Sequence, residues 1–176
     1  MNMSKRMVGL LVPLLMLLVY GCGYHVAGKG GTSTLEVEGI TTIAIPIFKN
    51  DTHRADVESV ITTAIVDEFV NVVDVVDPDR ADAVMEGRIR RYSLDAISYT
   101  ERDVVREYRL TVVLSVRIVR ISDGRVIWQD DAVTDYEDFT VDTSSVTATR
   151  DAELDVLKKL ARDTARLLRE RVLEGF

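Results

Sequence analysis

Cysteine and histidine are scarce in this chain and positive charge is outnumbered by negative, and each shortfall removes a class of chemistry. The 176 residues include one cysteine, so no internal disulfide can staple the fold. The two histidines, His25 and His53, leave little for a histidine–nucleophile pair or a multi-histidine metal centre. Acidic residues outnumber basic ones by 29 to 22, a formal charge of −7 that does not suit general nucleic-acid binding, which needs a basic footprint. The uncharged apolar run Met7 to Tyr20 has 14 residues. As a helix it would rise about 21 Å at roughly 1.5 Å per residue, short of a hydrocarbon core about 30 Å thick.

Two ligand motifs also fail on inspection. Gly23, four residues, then Gly28-Lys29 imitates the start of a phosphate-binding loop, but Gly30 stands where Ser or Thr should hold magnesium. Asp130, Asp131, Asp135, Glu137, Asp138 and Asp142 form an acidic stretch without the central Gly and terminal Glu of a calcium loop. Those charges are expected to guard a strand edge or meet a basic partner. Nothing in the sequence favours a paired-carboxylate hydrolase, and no cofactor is implied.

The opening segment is informative. Lys5 and Arg6 precede the apolar run, and Gly21 stands directly before Cys22. This is the pattern of a processed export signal. Val19-Tyr20-Gly21-Cys22 resembles the lipobox of bacterial lipoproteins, in which cleavage exposes a cysteine that carries lipid. The expected organisation is a cleaved signal over residues 1–21, a lipidated flexible tether over 22–39 and one domain over 40–176. The resemblance implies palmitate on Cys22, and Gly23 in place of Asp implies sorting to the outer membrane of a Gram-negative cell. Without Lys5 and Arg6 the balance is 20 basic to 29 acidic residues, or −9.

Residues 40–48 read as a strand with Ile43, Ile45 and Ile47 on one face and Pro46 near an end. Thr52 can cap a helix over 55–70, whose apolar positions Val57, Val60, Ile61, Ala64, Ile65 and Phe69 oppose Glu58, Ser59, Thr62 and Asp67. A short extended piece can follow within 71–76 before the Asp77-Pro78-Asp79 turn. Residues 82–97 form an uneven strand in which Gly87 signals a bulge or close approach. Residues 105–121 alternate clearly: Tyr108, Leu110, Val112, Leu114, Val116 and Ile118 share one face. A Ser122–Arg125 turn leads into a returning strand, with Trp128 opposite Val119 or Ile118 according to loop length. A helix over 147–173 carries Leu154, Leu157, Ala161, Ala165, Leu168 and Val172. The order β-α-β-β-β-α predicts an α+β two-layer sandwich, a mostly antiparallel four-stranded sheet with two helices on one face.

Cys22-Gly23-Tyr24-His25, Ile43 to Asn50, Ala81 to Gly87, Glu107-Tyr108-Arg109-Leu110 and Gly124 to Trp128, in this order, resemble the LptE family of lipopolysaccharide-assembly lipoproteins. The resemblance implies a non-enzymatic subunit of the outer-membrane lipopolysaccharide translocon. Such a subunit plugs a large β-barrel partner, LptD, assists its assembly and binds lipopolysaccharide. Arg88, Arg90, Arg91, Arg102, Arg106 and Arg109, in or near the loop joining the strands at 82–97 and 105–121, are the candidates for its phosphates, because a guanidinium forks onto phosphate oxygens. The competing reading is a periplasm-facing lipoprotein that activates or scaffolds a cell-wall synthase or another envelope assembly.

Overall fold

The computed structural model describes residues 33–99, 105–140 and 146–175, all within the unit that begins at Thr32. Its elements are α1 (Thr34–Val37), β1 (Thr42–Ala44), β2 (Lys49–Asn50), α2 (Val57–Phe69), β3 (Asp74–Val75), a 3₁₀ turn (Pro78–Arg80), β4 (Ala83–Tyr99), β5 (Val105–Arg120), β6 (Val126–Thr140) and α3 (Val146–Glu174). The α+β class agrees with expectation. The sheet is mixed and six-stranded, however, not a mostly antiparallel sheet of four. Its order is β3-β1-β4-β5-β6, with β2 also beside β4. β1 pairs in parallel with β3 and β4, and β2 in parallel with β4, while β4, β5 and β6 are antiparallel.

Pro46 marks one reason for the difference. It lacks a backbone donor, and the expected strand around it is two short ones, β1 and β2. Ile43 is buried and Ile45 partly so, but Ile47 turns out to solvent at 67% exposure. Phe48 takes the inward place and lies over Gly87, where a Cβ would sit 2.1 Å from its ring carbons. The expected close approach at Gly87 is therefore a side chain seated on bare backbone. The β-bulge itself lies three residues on, where the β4–β5 register skips Arg90 between Ile89 and Arg91.

Helix α2 buries Val57, Ile61, Ile65 and Phe69, one residue per turn. Thr62, expected on the polar face, is buried at 5% exposure, and its hydroxyl accepts the Phe48 N–H at 3.0 Å. Thr52 does not cap the helix. Its N–H and hydroxyl donate to Asn50 Oδ1 at 2.9 and 2.7 Å, and Asp56 occupies the cap position with left-handed φ of 66°. Helix α3 buries Leu157, Leu160, Ala161, Thr164, Ala165, Leu168 and Val172, whereas Leu154, expected in the stripe, is 40% exposed.

The β5 alternation holds: Leu110, Val112, Leu114, Val116 and Ile118 all point into the core. At the β5–β6 turn Arg120 N–H donates to the Arg125 carbonyl at 2.9 Å, closing a longer loop than either predicted one, with Gly124 at φ 70°. A bulge then skips Ile127 and places Trp128 opposite Ile118. Residues 33–39, assigned by sequence to the tether, form a helical turn with a Ser33–Glu36 capping box, and Leu35 enters the core.

Candidate functional site

The helices α2 and α3 share one side of the sheet, leaving the other side of β4, β5 and β6 uncovered by a helix, with only the Pro46–Lys49 segment bordering it beside Glu86, Arg88, Ser115 and Arg117. The register puts Glu86, Arg88, Arg91, Ser93 and Asp95 of β4 on this open face. Arg109, Thr111, Val113, Ser115 and Arg117 of β5 stand beside them, with Gln129, Thr134, Tyr136 and Asp138 of β6 beyond. The charges are joined across the face. Arg117 Nε donates to Glu86 at 2.7 Å, and Arg88 Nη1 reaches both oxygens of Asp51 at 2.7 and 2.9 Å. Arg109 grips Asp138 through Nε and Nη2 at 2.7 and 2.8 Å, and its guanidinium lies 4.3 Å from the Tyr136 ring centre. The hydrogen bond from Arg109 holds the Asp138 carboxyl below its usual range, and the same bond raises the guanidinium pKa.

The structure separates the arginines that sequence reasoning had grouped around one loop. Arg88, Arg90 and Arg91 lie in the middle of β4, while Arg109 sits on β5 opposite Asp95, nearer the hairpin loop. Arg102 and the side chain of Arg106 lie outside the described residues. Arg90 is the bulge residue, so it and Arg91 are both exposed, and neither has an ion-pair partner among the described residues.

They border a depression of about 440 Å³ with Asp51, Thr52, His53, Arg54 and Tyr92, which sequence reasoning did not bring to this place. Asn50 shapes its loop: Nδ2 donates to the Arg54 carbonyl and to Glu58, both at 2.7 Å, while Oδ1 receives Thr52. Arg54 pairs with Glu153 at 3.3 Å and Tyr92 donates to the same carboxylate at 2.6 Å. Burial, helped by Glu153, pushes the Tyr92 hydroxyl pKa up. Arg90 and Arg91 are therefore the described candidates whose donors remain available to an anion. A signal for the bulge was present in the sequence: the inward residues Ile89 and Tyr92 are three apart where alternation requires two.

The expected acidic guard on β6 is only part of its arrangement. Asp130 and Asp135 accept the N–H groups of Ala132 and Tyr136 at 2.9 Å each, occupying backbone donors on this edge strand. Asp130, Asp135 and Glu137 also turn toward α3, meeting Arg171, Thr164 and Lys159. The Glu137 bond raises the Lys159 pKa. Asp142 lies outside the described residues. Among the described residues no group of three His, Cys, Asp or Glu is placed to hold a metal ion, and no helix is long and apolar enough to cross a membrane.

The described residues thus form a layered α+β domain with one sheet face uncovered by a helix and laced with ion pairs. The chain belongs to the LptE family, described as lipopolysaccharide-assembly, whose sequence model matches residues 40–172. It is an assembly family rather than a family of enzymes. Among solved structures, the uncharacterized lipoprotein B of Nitrosomonas europaea is 13% identical, covering 87% of this chain and 92% of that one with a TM-score of 0.56. The rare lipoprotein B of Shewanella oneidensis is 15% identical, covering 73% of this chain and 92% of that one with a TM-score of 0.48. At such identities the first likeness supports the fold alone. No curated protein sequence matches the chain.

Proposed function

We propose that this chain is an outer-membrane lipoprotein subunit of the lipopolysaccharide translocon. It is exported by residues 1–21, anchored through lipid on Cys22, and carried on a tether into a large β-barrel partner of the LptD type, which it plugs and helps to assemble. The carrying observation is the family match over residues 40–172. The bare polar face supports it, because a barrel interior is polar and favours hydrogen-bonding surfaces over an exposed apolar patch. Lipopolysaccharide, a phosphate-bearing glycolipid, is contacted by Arg90 and Arg91, with Arg102 and Arg106 as further candidates. Arg88 and Arg109 are already engaged with Asp51 and Asp138.

Affinity capture of the full chain from detergent-solubilised outer membrane tests the role. Retrieval of a large β-barrel is expected; retrieval of a cell-wall synthase without a barrel refutes it. Replacing Arg90, Arg91 and Arg106 together should weaken lipopolysaccharide binding, with a reduced dependence on salt. Unchanged binding removes the arginine assignment and leaves the plug role standing.

A further inference from the structure

The geometry points to the open face of β4, β5 and β6 as the surface that meets the barrel wall, with Tyr136 and Arg109 as its binding hot spot. This rests on the translocon reading and adds which side of the domain faces the partner. Size is the first argument. Strands of 17, 16 and 15 residues are each about 50 Å long at roughly 3.3 Å per residue. Three of them side by side, about 4.8 Å apart, present about 700 Å². That is close to the roughly 800 Å² each partner contributes to a stable interface.

The chemistry of the floor is the second argument. Ser93, Thr111, Val113, Ser115 and Thr134 are short, so the middle of the face carries little bulk apart from Arg91, and Glu86, Arg88, Arg109, Arg117 and Asp138 around them are already matched within this chain. Such a face suits the polar inner wall of a barrel, whose strands also present alternate side chains. The strand edge of β6 suits an added strand less well, since Asp130 and Asp135 take up backbone donors there.

The third argument is the Arg109–Tyr136–Asp138 group. Tyr136 is 55% exposed, yet its neighbour Arg109 is fixed by two hydrogen bonds and lies over its ring. Tyr and Arg are enriched among residues that dominate binding. A planar guanidinium held in advance loses little freedom on docking and keeps unused N–H donors for carbonyl or carboxylate groups of the wall. Because Asp138 neutralises it, Arg109 fits a protein acceptor better than a phosphate, which separates its role from that of Arg90 and Arg91.

The test places a photo-crosslinking side chain at Thr111 or Thr134 on the open face, and at Thr63 or Arg162 on exposed positions of the helices, in the full anchored chain in cells. Adducts with the barrel should form about ten-fold more from Thr111 and Thr134. Tyr136→Ala should lower retention of the barrel about thirty-fold, the scale of a hot-spot truncation. Thr134→Gln, which inserts bulk without adding a charge in the same row as Arg91, should lower it as well, and binding of lipopolysaccharide vesicles by both variants should be unchanged. Equal or greater adducts from the helix positions in a chain that still captures the barrel overturn the face assignment alone. Adducts to a second copy of this chain overturn it in favour of self-association. Failure of the unmodified chain to capture any barrel overturns the translocon reading and this inference together.

Discussion

The two ends of the sheet are built differently. Around β1 to β3 and the first half of β4, both helices close over the strands, and Ile43, Ile61, Ile65, Phe69, Met85, Ile118 and Leu168 are wholly or almost wholly buried. Past Ile89 the sheet narrows to β4, β5 and β6, because β2 ends at Asn50 and α2 starts only at Val57. There Tyr92, Leu94 and Tyr108 are half-buried, and Tyr108 stacks on Phe139 with ring centres 6.0 Å apart. Both ends have an apolar core, Leu110 and Val112 being buried opposite Leu94 and Tyr92, but the narrow end adds aromatic contacts and polar pairs such as Tyr92–Glu153. The narrow end also carries the exposed Arg90, Arg91 and Tyr136. The groups proposed for partner contact stand where the domain's own cover thins.

Deleting one large side chain at each end tests this contrast most sharply. Phe69→Ala should lower unfolding free energy by about 3–5 kcal/mol, measured by urea denaturation followed through Trp128 fluorescence. Leu94→Ala should cost about 1–2 kcal/mol, since a half-buried side chain loses less burial. Equal costs would erase the distinction. Gly87→Ala should cost about 1–3 kcal/mol through the collision with Phe48, and a neutral result would mean the ring can leave its seat.

Asp82 gives the broad end a pH signature. Its carboxylate accepts the Thr41 N–H and hydroxyl and the Thr42 N–H at 2.8–3.0 Å, led by the Thr41 backbone bond, and its pKa falls from 3.8 to about 2. A carboxyl lowered by folding binds protons more readily in the unfolded chain. Its contribution is therefore complete above pH 3.8 and disappears as pH falls through about 2. Melting temperature measured across that window should fall more steeply for the native chain than for Asp82→Asn. Parallel curves would remove this carboxylate from the account. The smallest effect belongs to the narrow end: Asp138→Asn should leave the melting temperature almost unchanged, since exposed ion pairs contribute little.

How legible each region was follows from the length of its pattern. The alternation of β5 and the helical stripe ending at Val172 run over many residues, and each appears as expected apart from the exposed Leu154 at the stripe's start. β1, β2 and β3 have only two or three residues apiece, too few for periodicity, so the parallel pairings depend on tertiary context. Thr62 looks polar in a helix pattern, but its hydroxyl is required inside to receive the Phe48 N–H. Asp135 and Glu137 interrupt the inward face of β6 because their partners lie on α3, remote in sequence. The candidate site was legible by residue type but not by place. Arg90 and Arg91 were identified, yet the Asn50-braced loop that brings His53 and Arg54 beside them depends on a fold contact.

The turn at residues 33–38 has a mechanical consequence. Leu35 is sunk in the core, while Glu38 receives both Arg120 and Arg125 from the β5–β6 hairpin. A pull arriving along the chain through Ser33 therefore meets a knot of side chains before it reaches β1. Those contacts spread the load into the β5–β6 hairpin, much as a cable clamp takes strain off a soldered joint.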